Sequence, residues 1–421
     1  MKTTAVRMHG AMDIRLESFD LPPVGKDEIL MQVVTDSLCA STFKAVKQGS
    51  AHKRVPPDIA ENPVIIGHEM CGIVREVGEN LRGVWKPGQK AVIQPALKLE
   101  SGYDPGYSYP YVGGSATYVV VPSVVIKRGC LVPYNGEGYF NGSLVESLGC
   151  VLRGFKGCYH TDFETYVRED GDKKGGKIAF LGGAGPMGIG AVEIALGYAS
   201  VSQIVVTDLN GERLSFAEAK CPPERAAQRG CSLIYLDTSS VEDVPKKLME
   251  MSDGGFDDVF VMVPSPELFS MAEKICRTDG CVNFFAGPAV HDLQGSLNLY
   301  RIHYDGIHVV GTAGSIPQDT LETISLIEEN RIKPAALVSH ILGLPAAVDA
   351  VLAMEKPSGA KKVCYTGLDI PYIAIDELAE YGKKDALYAE LDRIVKAHDG
   401  LWCAEAEEYL LAHAPQVGEV K

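Results

Sequence analysis

KIAFLGGAGPMGIGAVEIALGYASVSQIVVTD, residues 177–208, decides the fold. Ile178 to Leu181 is an apolar run of the length expected for a fully buried parallel strand, and it breaks at a turn carrying Gly183, Gly185 and Gly188. After Pro186 and Met187 the spacing becomes helical through Ile189, Val192, Ala195 and Leu196, and a second apolar run ends on Asp208. A glycine-rich turn alone often does no more than reverse the chain. Here strand, turn, helix, strand and terminal acid follow one another, with the acid 23 residues after Gly185 (208 − 185), which is the pattern of a dinucleotide site. Glycines let the backbone approach a pyrophosphate, and the helix N-terminus offers unpaired N–H groups. A carboxylate at Asp208 would accept hydrogen bonds from the adenosine ribose and repel a 2′-phosphate, favouring NAD; Arg213, five residues on, keeps NADP open.

Outward from this stretch, residues 4–40 alternate as strands do, with turns at Pro22-Pro23 and Gly25-Lys26-Asp27. The β-rich texture continues through residues 67–78, 86–93 and 115–122. Between the last two lies LKLESGYDPGYSYPYVGG, residues 97–114, a tyrosine-rich loop that would either cover a cleft or lie on the surface. From about Ser143, apolar runs at 233–236, 258–263, 281–287 and 308–314 alternate with helical segments, as a doubly wound sheet requires. Beyond Pro371, spacing such as Leu387, Leu391, Ile394 and Val395 predicts amphipathic helices in an appended tail whose charged faces are solvated.

The chain of 421 residues is 46% apolar and 23% charged, enough for two or three domains with a sizeable core. A net charge of −15 argues against nucleic acid or an anionic membrane as a general partner. The N-terminus lacks a signal-peptide core and no run of about 18 apolar residues occurs, so a cytoplasmic protein is expected. The 11 cysteines form no C-x-x-C pair, and reduced thiols are the expectation.

Cys39 is the exception. It follows a strand in DSLCASTFK and is accompanied downstream by Gly67-His68-Glu69 and by Glu146 in LVESLGC. Thiolate, imidazole and carboxylate suit a zinc site with an open position, whereas closed structural sites are built differently. Taken singly, each of these residues reads as an ordinary core cysteine or a satisfied histidine.

SLCAS, IIGHEMCGIVREVG, VESLGC and LGGAGPMG, in this order and at these separations, resemble the zinc-dependent medium-chain dehydrogenase/reductase family in its sorbitol dehydrogenase branch, over roughly residues 1–370. VTDLNGERLSFAE strengthens the branch assignment. The resemblance implies an α/β protein in which a GroES-like β-rich catalytic domain (1–150 and 313–371) is interrupted by a Rossmann NAD(P)-binding domain (151–312), with the site in the cleft between; residues 372–421 are left as a helical C-terminal extension beyond the family's usual end. It places Cys39, His68 and Glu146 as zinc ligands, with Glu69 as an exchangeable fourth or a group close behind the metal. It gives Ser41 the hydroxyl that passes the substrate proton toward the nicotinamide ribose. Zinc would polarise the carbonyl while hydride moves to or from the nicotinamide.

Two departures stand out. Thr42 occupies the place where the family commonly carries an aspartate that orients the zinc-bound histidine, so that link is expected to be weaker or to come from elsewhere. The four-cysteine structural zinc lobe is missing, since no cysteine lies between Cys71 and Cys130; one catalytic zinc and no structural zinc is the expectation. The family implies a homodimer or homotetramer.

For the substrate, FKAVKQGSAHKRVP carries Lys44, Lys47, His52, Lys53 and Arg54 with no acid between Asp36 and Asp58. Such a cluster would hold a phosphate or be a solvated basic surface. SLCASTFK and HYDGIHVVGTAGS resemble the bacterial L-sorbose 1-phosphate reductase group, which implies a hexitol phosphate/ketose 1-phosphate oxidoreductase with Lys44, Lys53 and Arg54 at the phosphate. An unphosphorylated polyol dehydrogenase, a zinc-free quinone or enone reductase and a non-catalytic NAD sensor stay open as alternatives.

Overall fold

A computed structural model describes residues 1–162, 164–356 and 359–420. It divides into two compact units, residues 1–146, 316–328 and 338–421 in the first and 147–315 and 329–337 in the second.

The second unit is built on a six-stranded parallel sheet. Its spatial order is Ser232–Asp237, Gln203–Asp208, Lys177–Leu181, Phe256–Val261, Cys276–Phe284 and His308–Val310. Lys177–Leu181 lies at the reversal of strand order, where ligands of open α/β sheets bind. Its last four residues are buried, because helices on both faces leave a parallel strand no wet side. The helix Pro186–Gly197 that follows is buried from Gly188 through Gly197, including Glu193. That carboxylate is matched by Arg225 and by the backbone N–H of Lys333, which removes the cost of an unpaired buried charge.

The first unit closes around a mixed eight-stranded sheet that draws on both ends of the sequence: Lys361–Tyr365 pairs antiparallel with Ile29–Leu38, which pairs in turn with Met70–Val77. A hairpin of Lys2–Gly10 and Asp13–Asp20 lies in a separate three-stranded sheet. The core on one side is aliphatic, with Ile29, Met31, Val74, Val119 and Val121 at its centre.

The tail is helical as expected, but it is part of this unit rather than an appendage. Ile373–Ala374 adds a strand beside Val338–Gly343. The helix Ala386–Ala397 buries Leu387, Leu391, Ile394 and Val395, the positions its spacing marked. From the helix Ala404–His413, Glu407 is only 2% exposed, not solvated, and accepts from the backbone N–H groups of Tyr139 and Phe140 and from Tyr365 Oη. Tyr365 Oη accepts in turn from Trp402 Nε1 at 2.7 Å. Among the described residues no helix is long and apolar enough to cross a membrane.

Candidate active site

The strand Ile29–Leu38 runs directly into the helix Ala40–Gln48, and Cys39 is the residue between them, in extended conformation at the helix N-cap. This junction projects Cys39, Ser41 and Thr42 to one place. The opposing wall is the turn before Met70–Val77, where Gly67 has φ +88° and a side chain would collide with the Asp36 carboxylate and with Ser115. Only glycine lets the chain turn there and present His68 and Glu69.

Ligand atoms of Cys39, His68 and Glu69 lie within 4.8 Å of one another. Burial, aided by Lys361 and Arg54 against Glu69, pushes the His68 imidazole down to about 4, so the ring is neutral and keeps a lone pair for a metal. Its Nδ1 is 3.1 Å from Thr42 Oγ1, so the histidine's orienting partner is Thr42 itself and not a group from elsewhere. A proton shared between Nδ1 and Thr42 leaves Nε2 facing Ser41 Oγ at 3.3 Å. The Cys39 thiol is pushed up to about 12 by burial and by Glu69 and Glu146, although Lys361 and the Ser41 hydroxyl favour its ionisation. Bound zinc would favour the thiolate, and the mixed sulfur, nitrogen and oxygen donors fit that ion.

Glu69 is held from behind. Lys361 Nζ reaches its two oxygens at 2.5 and 2.6 Å, and both side chains are almost wholly buried. Burial opposes ionisation of Glu69, but the charge and hydrogen bonds of Lys361, with a hydrogen bond from Ser37, outweigh it and hold the carboxyl below its ordinary range. Glu146, in the first turn of the helix Val145–Gly157, stands outside the three-residue group, yet its charge acts on Cys39, Tyr107 and Lys361.

Three residues here were not foreseen from the sequence. Lys361 sits in an ordinary strand and nothing near it hints at a partner. Asp36, fully buried and pushed well above the usual carboxylate range by burial, accepts from Ser115 Oγ at 2.7 Å; an acid inside an apolar strand was the available signal. Tyr107, from the tyrosine-rich loop, places its hydroxyl 3.1 Å from Ser41 Oγ and 3.3 Å from His68 Nε2.

The basic cluster converges, but not all of it is available to an anion. Lys44 and His52 are both lowered, His52 to about 4, first by burial and then by neighbouring positive charges that include Lys53 and Arg54. Arg54 is paired with Asp104 at 3.0 Å and lies over the Tyr107 ring at 5.0 Å, and Lys47 is paired with Glu355 at 3.2 Å.

In the second unit, the expected dinucleotide residues cluster at the end of Lys177–Leu181. A Cβ on Gly188 would come within 1.8 Å of the Gly183 carbonyl oxygen, so this glycine is required for helix and turn to pack. A Cβ on Gly185 would meet nothing within 4 Å; as N-cap it has no side chain to satisfy the first N–H groups, and Pro186 and Met187 beside it are half-exposed. The N-terminus is thus open to an anionic ligand. Asp208 Oδ2 accepts from Ala184 N at 3.3 Å and Oδ1 from Asn210 N at 3.1 Å, tying the acid to the glycine-rich turn. Arg213 lies in the first turn of the helix Gly211–Lys220. Donor atoms of Cys158, Asp258 and Cys281 also converge in this unit. Two of the three have protein partners: Asp258 faces His160 at 3.3 Å and takes the Lys173 N–H, while Cys158 donates to Gly154 O.

Residues 25–129 match the family model for the alcohol dehydrogenase GroES-like domain, and residues 186–329 that for zinc-binding dehydrogenase. The chain is 42% identical to the L-sorbose 1-phosphate reductase of Klebsiella pneumoniae over 99% of its own length and 98% of that protein's. It is 41% identical to a mannitol-1-phosphate 5-dehydrogenase of Aliivibrio fischeri over 97% of each. The crystal structure of 2R,3R-butanediol dehydrogenase from Bacillus subtilis superimposes with a TM-score of 0.71 at 23% identity, covering 86% of this chain and 99% of that one. With a thiol, imidazole and carboxylate group in one unit and a parallel dinucleotide sheet in the other, the chain belongs to the zinc-dependent medium-chain dehydrogenase/reductase family, in its sorbitol dehydrogenase-like branch.

Proposed function

We propose that this enzyme interconverts a hexitol phosphate and a ketose 1-phosphate by hydride transfer with a nicotinamide coenzyme, NAD in preference to NADP. The observation that carries the reading is the convergence of Cys39, His68 and Glu69 beside Ser41, with Lys44 and Lys53 close by in charge. Cys39 and His68 would hold zinc with Glu146, and Glu69 would be the exchangeable donor, released only as Lys361 lets go of it. When bound, zinc supplies Lewis-acid polarisation of the reacting carbonyl. Thr42 fixes the His68 ring and Ser41 carries the proton at its Oγ.

Gly183, Gly185, Pro186, Met187 and Gly188 would receive the coenzyme pyrophosphate, Asp208 the adenosine ribose, and Arg213 a 2′-phosphate if NADP is used. With Arg54 engaged by Asp104, the phosphate reading rests on Lys44 and Lys53. We place the protein in the cytoplasm, as a homo-oligomer with one catalytic zinc per chain.

The test is a panel of hexitols, ketoses and their phosphates with NAD(H) and NADP(H). The reading requires turnover of a phosphorylated pair well above its dephosphorylated counterpart, with the gap narrowed by Lys44→Ala and Lys53→Ala. Equal rates for the two forms would remove the phosphate claim and leave a polyol dehydrogenase. Exhaustive chelation should abolish turnover and return of zinc restore it; full activity in metal-free protein would instead select a zinc-free reductase.

A further inference from the structure

The tyrosine-rich loop delivers a group to the reacting centre. Tyr107 is 2% exposed, and its ring is pinned on several sides. The Arg54 guanidinium lies over it at 5.0 Å, the His52 ring stacks at 5.9 Å with planes 10° apart, and the His68 ring is 4.9 Å away. Arg54 is itself fixed, by Asp104 on its guanidinium and by Ser108 Oγ, which donates to its carbonyl at 2.5 Å. Asp104 also accepts from Leu97 N at 2.9 Å, closing the loop on itself. What this scaffold holds in place is one phenolic hydroxyl, donating to Ser41 Oγ at 3.1 Å.

A serine hydroxyl has one proton and two lone pairs, and its rotor is set by what those lone pairs accept. We propose that Tyr107 is a positioning residue for Ser41: by donating to Ser41 Oγ it turns the serine proton toward the reacting oxygen of the substrate. The other acceptors near that proton are Cys39 Sγ at 3.0 Å and His68 Nε2 at 3.3 Å. Once those two atoms are engaged as ligands, the substrate oxygen is the acceptor left.

In the reducing direction a bound nicotinamide coenzyme would supply hydride to the carbonyl carbon, the C=O π pair becoming a lone pair on oxygen. Ser41 gives its proton to that oxygen and takes one back from solvent. Tyr107 keeps its proton throughout and steadies the charge that develops on Ser41 Oγ. The inference rests on the reading of Ser41 as proton carrier, and it gives Arg54 and His52 a task other than phosphate recognition.

The test uses the zinc-loaded enzyme and the variants Tyr107→Phe, Ser41→Ala and the double variant. Tyr107→Phe removes only the hydroxyl and leaves the ring stack. It should lower kcat by about 10- to 100-fold, as expected for a hydrogen bond to a group that gains charge. KM, zinc content by elemental analysis and melting temperature should stay as in the parent, and the solvent deuterium isotope effect on kcat should rise. In the Ser41→Ala background the same change should have no further effect. An equal loss in both backgrounds, or loss of zinc from Tyr107→Phe, overturns the inference. Failure of the parent enzyme on every polyol and ketose would instead strike the functional reading on which it rests.

Discussion

Lys361 and Glu69 are 292 residues apart in sequence, and each is the reason the other can be buried. Replacing Lys361 by Met strands a carboxylate in the interior, where removal of one partner typically costs about 3–5 kcal/mol. Urea unfolding should register a loss of that size, and Glu69→Gln in the same chain should recover part of it by removing the orphaned charge. At this scale the sequence was legible where a residue's role is carried by neighbours along the chain. Cys39, His68 and Glu69 stand out only once SLCAS, GHE and the other motifs are read together, and their ligand atoms do converge. Arg54 does not stand out in that way, because the acid that neutralises it, Asp104, lies fifty positions downstream. A run of basic residues read without its distant partners therefore overstates the free positive charge. Lys361 and Tyr107 escaped for the same reason, since their meaning exists only after the fold has brought remote segments together.

Among the elements, the strand–turn–helix at Lys177–Gly197 separates two uses of glycine. Gly188 is a packing glycine: Gly188→Ala drives a methyl into the Gly183 carbonyl and should cost about 1–3 kcal/mol in stability, with coenzyme binding lost alongside. Gly185 faces open space, and on the proposed function it is the glycine that approaches the coenzyme. Gly185→Val should leave stability within about 0.5 kcal/mol of the parent while abolishing NADH binding, as followed by fluorescence titration. If Gly185→Val bound NADH normally, this turn would not be the pyrophosphate site. The element was readable in advance because period, turn chemistry and terminal acid all agree locally. The tail helices were readable as helices from their apolar spacing, but not as part of the first unit, since Glu407 looks like any charge on a wet face until Tyr139, Phe140 and Tyr365 surround it.

For the molecule as a whole, that tail contributes to how stability answers to pH. Burial raises Glu407 to about 7, against hydrogen bonds from Phe140, Tyr139 and Tyr365 that favour its ionised form. A carboxyl with a folded value above its unfolded value near 4.5 contributes stability that is complete below 4.5 and is lost as pH rises through 7. The first unit should therefore melt lower at pH 8 than at pH 5.5 through this group. Glu407→Gln should flatten that slope, at the cost of one acceptor for a backbone N–H; an unchanged slope would show that Glu407 is not its source. Trp402→Ala, which empties a fully buried site and leaves Tyr365 Oη without its donor, should cost about 3–5 kcal/mol in denaturant unfolding.

The eight-stranded sheet sets an order of events during synthesis. Its central strand Ile29–Leu38 has two neighbours made early, Met70–Val77 and Tyr118–Val121, and a third, Lys361–Tyr365, that leaves the ribosome only after about 240 further residues (361 − 121). Domains generally fold as they emerge, and the second unit is nearly continuous in sequence, so it can close while the first still waits for its missing strand and for Lys361. A chain ending at residue 340 and released from the ribosome should carry a protease-resistant second unit and a digestible remainder, with Glu69 lacking its counter-ion.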